Sequence, residues 1–235
     1  MTIFCFDIDG TVTEPNKLID PIMADTIVKA SKYNKIWFIT GNSYDKAKRQ
    51  LGNLITISDS IYCCSGSELW SNGVLVKNID YSFSKKLIAT LYVLVDKFPE
   101  KFNHVGNHIT FKTGMLTLAI PGTGLSDSDR NKFKELDDKL HFREKCVNFL
   151  NKYHTDIKAT LGGMTSIDIT PIKGGKAIVA DDIPINESVY FWGNEIKISG
   201  NDYEFANLVK ERGGTVFSVD NWQQTYHSLK EIVNV

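Results

Sequence analysis

The chain has 235 residues, 42% of them hydrophobic, and a formal net charge of -1. That is enough for a substantial core in one large domain or two small ones. A balanced charge without a basic stripe argues against nucleic acid or an anionic membrane surface as a partner, so we expect a small-molecule ligand. No stretch approaches the roughly 18 apolar residues that a membrane-spanning helix needs.

The four cysteines, Cys5, Cys63, Cys64 and Cys146, show no CxxC spacing. We therefore expect reduced, buried thiols, which suit a cytoplasmic protein. The first residues lack the basic flank and the long apolar run of a signal peptide, in agreement with that expectation.

The first part of the chain alternates strand and helix patterns. An apolar run over Thr2–Ile8 predicts a buried strand that ends at the Asp9-Gly10 turn. Helix, strand and helix patterns follow over Pro21–Lys32, Ile36–Thr40 and Ser43–Leu51. This alternation is typical of a parallel sheet with crossover helices.

The pattern changes in the middle of the chain, after residue 62. Glu68–Val76 predicts a hairpin with Asn72-Gly73 at its turn. An amphipathic helix is predicted over residues 84–98. Further strands and helices are predicted over Asn107–Phe111, Met115–Ile120, Asp127–Asp138, His141–Tyr153, Lys158–Leu161 and Ser166–Thr170. Hairpins beside helices indicate an inserted α+β segment with an antiparallel sheet.

The strand and helix alternation returns in the last part of the chain. The predicted elements are a helix that begins over Lys176–Asp181, a strand over Val189–Trp192, a helix over Asp202–Arg212, a strand over Thr215–Val219 and a final helix. We therefore predict an α/β fold whose parallel-sheet core is built from residues 1–79 and 174–235. Residues 80–173 would form an inserted α+β domain.

Asp7 and Asp9 lie at the carboxyl end of the first predicted strand. In open parallel sheets, ligands gather at that edge. Two carboxylates one residue apart can divide the work of phosphoryl transfer: Asp7 attacks phosphorus and ligates Mg²⁺, while Asp9 donates or accepts a proton. The alternative is a surface Asp-x-Asp turn, which the apolar run before it and Gly-Thr-Val-Thr after it disfavour.

The segment Phe-Asp-Ile-Asp-Gly-Thr-Val-Thr resembles the first motif of the haloacid dehalogenase (HAD) superfamily, and three later segments resemble its other motifs in the right order. Thr40 ends the second apolar strand, where its hydroxyl would bind the phosphoryl group; a local turn role is the alternative. Lys173 and Lys176 both follow a predicted strand, and we favour Lys176 as the ammonium that balances the charge of nucleophile and phosphoryl group. The resemblance implies a Rossmannoid core beneath a cap domain.

The fourth motif departs from the superfamily pattern at Gly193-Asn194, where the superfamily normally has Gly-Asp and uses that Asp to hold Mg²⁺. Asn194 offers a neutral carbonyl oxygen, which places less charge on a hard cation. Glu195 or Asp202 would supply charge instead, and Asp202 is alternatively the N-cap of the next helix. The expected metal ligands are Asp7, Asp9, Asn194 and Asp202.

Over nearly all of residues 3–220 the chain is similar to eukaryotic-type phosphomannomutases. The similar stretches include Gly41–Lys46, Phe111–Leu116, Gly162–Asp168 and Ser199–Glu204. The resemblance implies a C2B-type α+β cap, Mg²⁺ as cofactor, a hexose 1,6-bisphosphate as activator and a homodimer formed through the caps.

The same resemblance implies roles for individual residues. Asp7 would be the phosphorylated nucleophile and Asp9 the acid/base. Lys112 and Arg130 would bind the distal phosphate of a hexose phosphate, and Ser166 and Asp168 its hydroxyls. The expected substrate site also includes Gly41 and Asn42. Thr123 stands where the family has another phosphate-binding Arg, and Lys112 replaces a bidentate Arg, so the distal site is expected to grip a dianion less firmly.

Three functions remain open on this reading. The first is a mutase that interconverts mannose 6-phosphate and mannose 1-phosphate. The second is a sugar-phosphate phosphatase of the same superfamily, which the weaker distal site favours. The third is a non-catalytic phosphosugar-binding protein, suggested by Asn194 and disfavoured by the joint presence of Asp7, Asp9, Thr40 and Lys176.

Overall fold

The computed structural model describes residues 2–99 and 105–233. Its strands are β1 Thr2–Asp7, β2 Asn34–Ile39, β3 Ser60–Cys63, β4 Glu68–Ser71, β5 Val74–Asn78, β6 Ile109–Lys112, β7 Met115–Ala119, β8 Ile157–Gly162, β9 Ser166–Pro171, β10 Ser188–Gly193 and β11 Thr215–Ser218. Its α-helices are α1 Pro21–Ala30, α2 Tyr44–Leu51, α3 Lys85–Asp96, α4 Asp127–Leu140, α5 Phe142–Tyr153, α6 Tyr203–Glu211 and α7 Trp222–Val233. Short 3₁₀ helices cover Gly52–Thr56, Cys64–Gly66 and Lys176–Asp182.

The larger sheet has seven strands in the order β11-β10-β1-β2-β3-β4-β5. The first five of these are parallel, and the β4–β5 hairpin adds two antiparallel strands at one edge. β1 lies near the centre because its apolar side chains are buried on both faces, as expected of a strand covered by helices on each side. Its carboxyl end therefore delivers Asp7 to the middle of the sheet edge.

The predicted hairpin turn at Asn72-Gly73 is confirmed. Both residues have positive φ, 50° at Asn72 and 75° at Gly73. Such φ values at both central residues are those of the type I′ turn, whose twist matches that of paired strands. The hairpin extends the larger sheet rather than the second one.

The second sheet is antiparallel, with four strands in the order β6-β7-β9-β8. One of its faces packs on α3, α4 and α5 through a core that includes Leu91, Phe133 and Leu150. Side chains alternate across a strand, so the opposite face carries the polar pair Thr117 and Asp168, which are directly opposed in the β7–β9 register. That polar face is turned toward the larger sheet's carboxyl edge.

The predicted fold class is confirmed: a parallel-sheet core made from both parts of the chain, with an α+β segment and its antiparallel sheet inserted between them. We call the two parts the core and the cap. The division at residues 79/80 and 173/174 stays a prediction. Within the described residues no helix is long and apolar enough to cross a membrane, and Cys5, Cys63, Cys64 and Cys146 are buried without a disulfide.

A buried ion pair holds the cap together at the α4–α5 junction. Arg143 Nε donates to Asp137 Oδ2 at 2.7 Å, and the Arg143 backbone N–H donates to Asp137 Oδ1 at 2.9 Å. The Arg143 guanidinium also donates to the carbonyl oxygens of Gly163 and Ser166, which flank the β8–β9 turn. Because Arg143 is only 3% exposed, each of these bonds replaces a bond to water, and loss of one partner leaves the other charge buried.

Replacement of Arg143 by Ala is expected to lower the free energy of unfolding by about 3–5 kcal/mol, since Asp137 would remain buried without its counter-ion. Urea denaturation followed by circular dichroism measures this loss. Lys132→Ala is the matched control, because Lys132 forms an exposed pair with Asp129 on α4 and exposed pairs contribute about 0–1 kcal/mol. Equal losses in the two variants would contradict this role for the buried pair.

Candidate active site

A cavity of about 550 Å³ lies between the carboxyl edge of the core sheet and the polar face of the cap sheet. Its core wall includes Asp7, Asp9, Thr40 and Asn194. Its cap wall includes Lys112, Arg130, Thr123, Ser166 and Asp168. The structure thus brings together predicted residues that are up to 187 positions apart, the separation of Asp7 and Asn194.

Lys176 connects the carboxylate of Asp7, which lines the cavity, to that of Asp202, which does not. Its Nζ donates to Asp7 Oδ1 at 2.6 Å and to Asp202 Oδ1 at 2.7 Å. Lys176 is 2% exposed and Asp202 is fully buried. The other Asp202 oxygen accepts from the Glu195 backbone N–H at 3.0 Å. The favoured Lys176 therefore contacts Asp7, whereas Lys173 is exposed on the surface.

Asp7 is held in a dry site that disfavours its charge. Burial raises its pKa to about 7, and the neighbouring Asp202 and Asp9 charges add to that rise, although the Lys176 ammonium opposes it. For Lys176 the two carboxylates outweigh burial, so its pKa is raised and it stays protonated. The second Asp7 oxygen accepts from Thr11 Oγ1 at 3.0 Å.

Asp9 is fixed by neutral donors from α2, from the loop before α2 and from the loop that follows β1. Its Oδ1 accepts from the Asn16 backbone N–H at 2.7 Å and from Gln50 Nε2 at 2.8 Å, and its Oδ2 accepts from Asn42 Nδ2 at 2.5 Å. Burial alone would raise the pKa of Asp9, but Lys46 and these hydrogen bonds lower it below its ordinary value. The Asp9 side chain is therefore a carboxylate, ready to accept a proton.

Thr40 and Gly41 form the rim beside Asp9. The Thr40 hydroxyl oxygen accepts from the Asn42 backbone N–H at 3.1 Å, so it retains its own O–H for a further acceptor. The Gly41 carbonyl oxygen accepts from Lys112 Nζ of the cap at 2.7 Å. This rim is the point where cap and core meet over the cavity.

Asn194 lies against the turn of the first motif. A Cβ atom built on Gly10 would be 2.5 Å from Asn194 Nδ2, and Gly10 has φ 85°, so both space and backbone require glycine there. Among the residues that the structure describes, none forms a hydrogen bond with the Asn194 side chain. Its amide oxygen is thus available as a ligand at the same edge as Asp7.

The predicted metal ligands differ in how free their oxygens are. Both side-chain oxygens of Asp202 are engaged, by Lys176 and by the Glu195 N–H, and those of Asp9 accept three hydrogen bonds. No cluster of three or more His, Cys, Asp or Glu side chains arranged for a metal occurs in residues 2–99 and 105–233. The Asp7 oxygens also accept one bond each, from Lys176 and Thr11, so among the described residues the Asn194 oxygen is the free one of the four predicted ligands. Carboxylate and amide oxygens are the ligands that fit a hard cation such as Mg²⁺.

On the cap wall, the Asp168 carboxylate accepts hydrogen bonds from both the cap and the core. Its Oδ1 accepts from Thr117 Oγ1 at 3.2 Å and its Oδ2 accepts from Asn201 Nδ2 of the core at 3.0 Å. A Cβ on Gly162 would lie 2.7 Å from the Asp168 carboxylate, so glycine leaves room for this carboxylate. Lys112 joins the same network by donating to Thr117 Oγ1 at 3.0 Å.

The other cap residues differ in their surroundings. Ser166 and Arg130 line the cavity. Thr123 does too, but its hydroxyl oxygen accepts from the Asn107 backbone N–H at 3.1 Å.

Asp202, in the core, occupies the N-cap position of α6 without a side-chain capping bond. Its carboxylate serves Lys176 instead of the helix.

No specific role was predicted from the sequence for several residues in or beside the cavity: Lys46, Arg49, Gln50, Thr117, Glu195 and Asn201. Lys46, Gln50 and Asn201 belong to stretches similar to phosphomannomutases, which was the available signal. Glu195 was considered only as a source of charge. Burial, with the nearby Asp202 charge, raises the pKa of Glu195 to about 7.

Comparison with known proteins assigns the family. A family model described as eukaryotic phosphomannomutase matches residues 23–235. The chain belongs to this family. The phosphomannomutase of Encephalitozoon cuniculi (strain GB-M1) is 30% identical over 98% of this chain and 93% of its own length. Phosphomannomutase 1 of Homo sapiens is 29% identical over 97% of this chain and 90% of its own.

Solved structures support the fold of this phosphomannomutase family member. The C-terminal domain of C. albicans trehalose-6-phosphate phosphatase has a TM-score of 0.68 at 17% identity, covering 100% of this chain and 92% of that chain. An N-terminal truncated, IMP-bound Plasmodium falciparum IMP-nucleotidase has a TM-score of 0.61 at 17% identity, covering 100% of this chain and 68% of that one. The predicted HAD-type fold with a cap is confirmed.

Loss of the Lys176 cation should destabilise the protein in a pH-dependent way. In Lys176→Met, Asp7 and Asp202 face each other without a counter-ion, so the pKa of Asp7 rises further above the 3.8 of the free group. A raised folded-state pKa gives stability that is present at low pH and is lost as pH increases. Urea denaturation in metal-free buffer should show a larger deficit at pH 8 than at pH 5.

Lys173→Met is the matched control for this experiment, because Lys173 is the exposed lysine three positions earlier. It should match the unsubstituted protein at both pH values. A Lys176→Met deficit that is the same at pH 5 and pH 8 would speak against a charge-compensating role for Lys176.

Proposed function

We propose that this protein is a Mg²⁺-dependent phosphomannomutase that interconverts mannose 6-phosphate and mannose 1-phosphate through a phosphorylated Asp7. The observation that carries the proposal is the buried Asp7–Lys176–Asp202 arrangement, in which Asp7 lines a cavity whose cap wall is cationic. Family membership supports the substrate class. Phosphoryl transfer of this kind depends mainly on positioning and on charge compensation.

In the step that phosphorylates Asp7, a carboxylate oxygen of Asp7 attacks phosphorus, the ester P–O bond breaks, and the sugar oxygen leaves with the proton that Asp9 took up during the opposite transfer. In the reverse sense, phosphorylated Asp7 gives its phosphoryl group to the free hydroxyl of a hexose monophosphate, and the Asp9 carboxylate accepts that proton. The lowered pKa of Asp9 keeps its carboxylate ionised, which the accepting role requires. The bisphosphate formed then transfers its other phosphoryl group to Asp7. The sugar that remains is the isomeric monophosphate.

Three further groups support this transfer. The Lys176 ammonium orients Asp7 and compensates the charge of the phosphoryl oxygens. The Thr40 hydroxyl is a donor to one of those oxygens. In the cap, Lys112 and Arg130 bind the distal phosphate, while Ser166 and Asp168 hold sugar hydroxyls.

The proposed Mg²⁺ supplies a positive charge that stabilises the phosphoryl oxygens during transfer. Asp7 and Asn194 are its proposed side-chain ligands, with Asp9 beside them. The proposed part of Asp202 is less direct, since it is fully buried and, unlike Asp7, does not line the cavity. A hexose 1,6-bisphosphate is the proposed activator, because it phosphorylates Asp7 at the start. We also propose a cytoplasmic homodimer formed through the caps.

Replacement of Asn194 by Asp should tighten Mg²⁺ binding, since a carboxylate holds a hard cation more strongly than a neutral amide oxygen. Isothermal titration with MgCl₂ measures the change. Asn53→Asp is the matched control, because it adds the same charge at an exposed position that does not line the cavity. No gain in Mg²⁺ affinity for Asn194→Asp would count against a ligand role for Asn194.

A sugar-phosphate phosphatase is the second candidate function. Thr123 offers no cation and its hydroxyl is already bound to Asn107, and Lys112 contacts Gly41 and Thr117. A looser hold on the distal phosphate would favour water over a sugar hydroxyl as the acceptor. A non-catalytic phosphosugar-binding role is disfavoured, because it gives no reason for the buried Asp7–Lys176–Asp202 charges, whose burial is costly.

A coupled assay with mannose 1-phosphate and Mg²⁺, with and without glucose 1,6-bisphosphate, separates these functions when hexose 6-phosphate and free phosphate are both measured. The mutase proposal expects hexose 6-phosphate, stimulated by the bisphosphate and abolished by Asp7→Asn. Free phosphate as sole product would support the phosphatase. Absence of turnover dependent on Asp7 would leave the binding role.

A further inference from the structure

The helix α2 brings two cations of the core to the cavity. Lys46 and Arg49 are three positions apart and both line the cavity wall, as residues on one helix face do. Lys46 Nζ lies 3.8 Å from Asp9 Oδ2 and donates to Asn42 Oδ1 at 3.0 Å. Arg49 has no carboxylate within ion-pair distance among the described residues.

The cap helix α4 mirrors this arrangement with Arg130 and Lys134, which are four positions apart and also line the cavity. Lys134 pairs with Asp138. In the parts of the chain that are described, the Arg130 guanidinium has no carboxylate partner. Two arginines, one from each side of the cavity, thus have no carboxylate within ion-pair distance among the described residues, and Arg130 acts only at longer range on Asp127, which pairs with Lys17.

These cations act on one another across the cavity. Burial lowers the pKa of Lys46, attraction by Asp9 opposes that, and repulsion from Lys112, Arg130 and Arg49 lowers it further. The charges that act most on Asp7 are different ones, namely those of Lys176, Asp202 and Asp9. The cavity lining therefore contains a cationic region formed by Lys46, Arg49, Lys112 and Arg130, apart from the buried Lys176 that pairs with Asp7 and Asp202.

We propose that Arg49 is a specificity-determining residue that binds the second phosphate of a hexose bisphosphate from the core side, together with Arg130 from the cap. This inference rests on the proposed phosphotransferase function and deepens it. A guanidinium without a counter-ion can donate two parallel N–H bonds to a phosphate, which an ammonium cannot do.

In this arrangement the cap does not bind the second phosphate alone. The cap contributes Lys112, whose only bonded partners are neutral, namely the Gly41 carbonyl of the core and the Thr117 hydroxyl. On the same wall the cap has Thr123 rather than a cation. With Arg49 in the core and Arg130 in the cap, the second phosphate is shared between both. An ester with two phosphates would then contact both cap and core through its second phosphate, and a monoester lacking that group would not.

The test compares glucose 1,6-bisphosphate with p-nitrophenyl phosphate, which has no second phosphate, as phosphoryl donors in Mg²⁺ buffer. Arg49→Gln should raise the KM for glucose 1,6-bisphosphate about tenfold or more, the size expected for a lost charge-assisted hydrogen bond. The KM for p-nitrophenyl phosphate should not change. Arg49→Lys should give an intermediate KM for the bisphosphate, since it keeps the charge but not the fork.

Lys48→Gln is the matched control, because Lys48 is the neighbouring exposed cation on α2 and does not line the cavity. It should leave both KM values unchanged. Calorimetric titration of Asp7→Asn and of Asp7→Asn/Arg49→Gln with glucose 1,6-bisphosphate measures the same contact without turnover. A lower affinity in the double variant supports the proposal.

Two results would overturn the proposal. One is equal bisphosphate affinity in the two titrated variants. The other is a KM increase of the same size for both esters, which would indicate general damage to the site. If the unsubstituted protein turns over neither ester, the proposed function fails, and the titration still decides the role of Arg49.

Discussion

The Lys176 ammonium, shared between Asp7 and Asp202, is the contact on which the active site depends. The three residues come from the end of β1, from the segment that returns from the cap, and from the loop before α6. Three buried charges of this kind are stable only when all are present, because any one left alone in a dry site costs several kcal/mol. Asp7, the proposed nucleophile, is therefore in position only once both parts of the core and the cap's return segment have assembled.

Core and cap are joined by contacts of different strength around this centre. A backbone bond from Leu161 N–H to the Ser199 carbonyl, at 2.7 Å, links β8 to the loop that follows Asn194. The side-chain bonds of Lys112 to Gly41 and of Asn201 to Asp168 close the two sides of the cavity. Lys112 and Asp168 are thus already bonded within the protein, so a sugar phosphate that binds them has to replace these bonds, whereas Arg130 forms no ion pair among the described residues that a ligand would have to break.

Local patterns in the sequence were sufficient for the described strands other than β3, for the hairpin turn and for the position of Asp7, because apolar runs and Asn-Gly turns act over a few residues. They did not reveal the bond between Gln50 and Asp9 or that between Asn201 and Asp168, since such pairs exist only after distant elements pack. Asp202 shows the same limit. Its place before a helix indicates a cap, while its burial beside Lys176 depends on a residue 26 positions away.

The contact between Gly10 and Asn194 carries an evolutionary consequence. The Asn194 amide fills the volume that a side chain at position 10 would need, so the two positions cannot drift independently. An Asn-to-Asp exchange at 194 keeps the shape of the side chain and can occur in one step, in either direction. Any residue other than glycine at position 10 would meet the Asn194 amide and would also have to adopt a φ of 85°, so Gly10 is held by space and backbone together, whereas the charge at 194 can change without a change of shape.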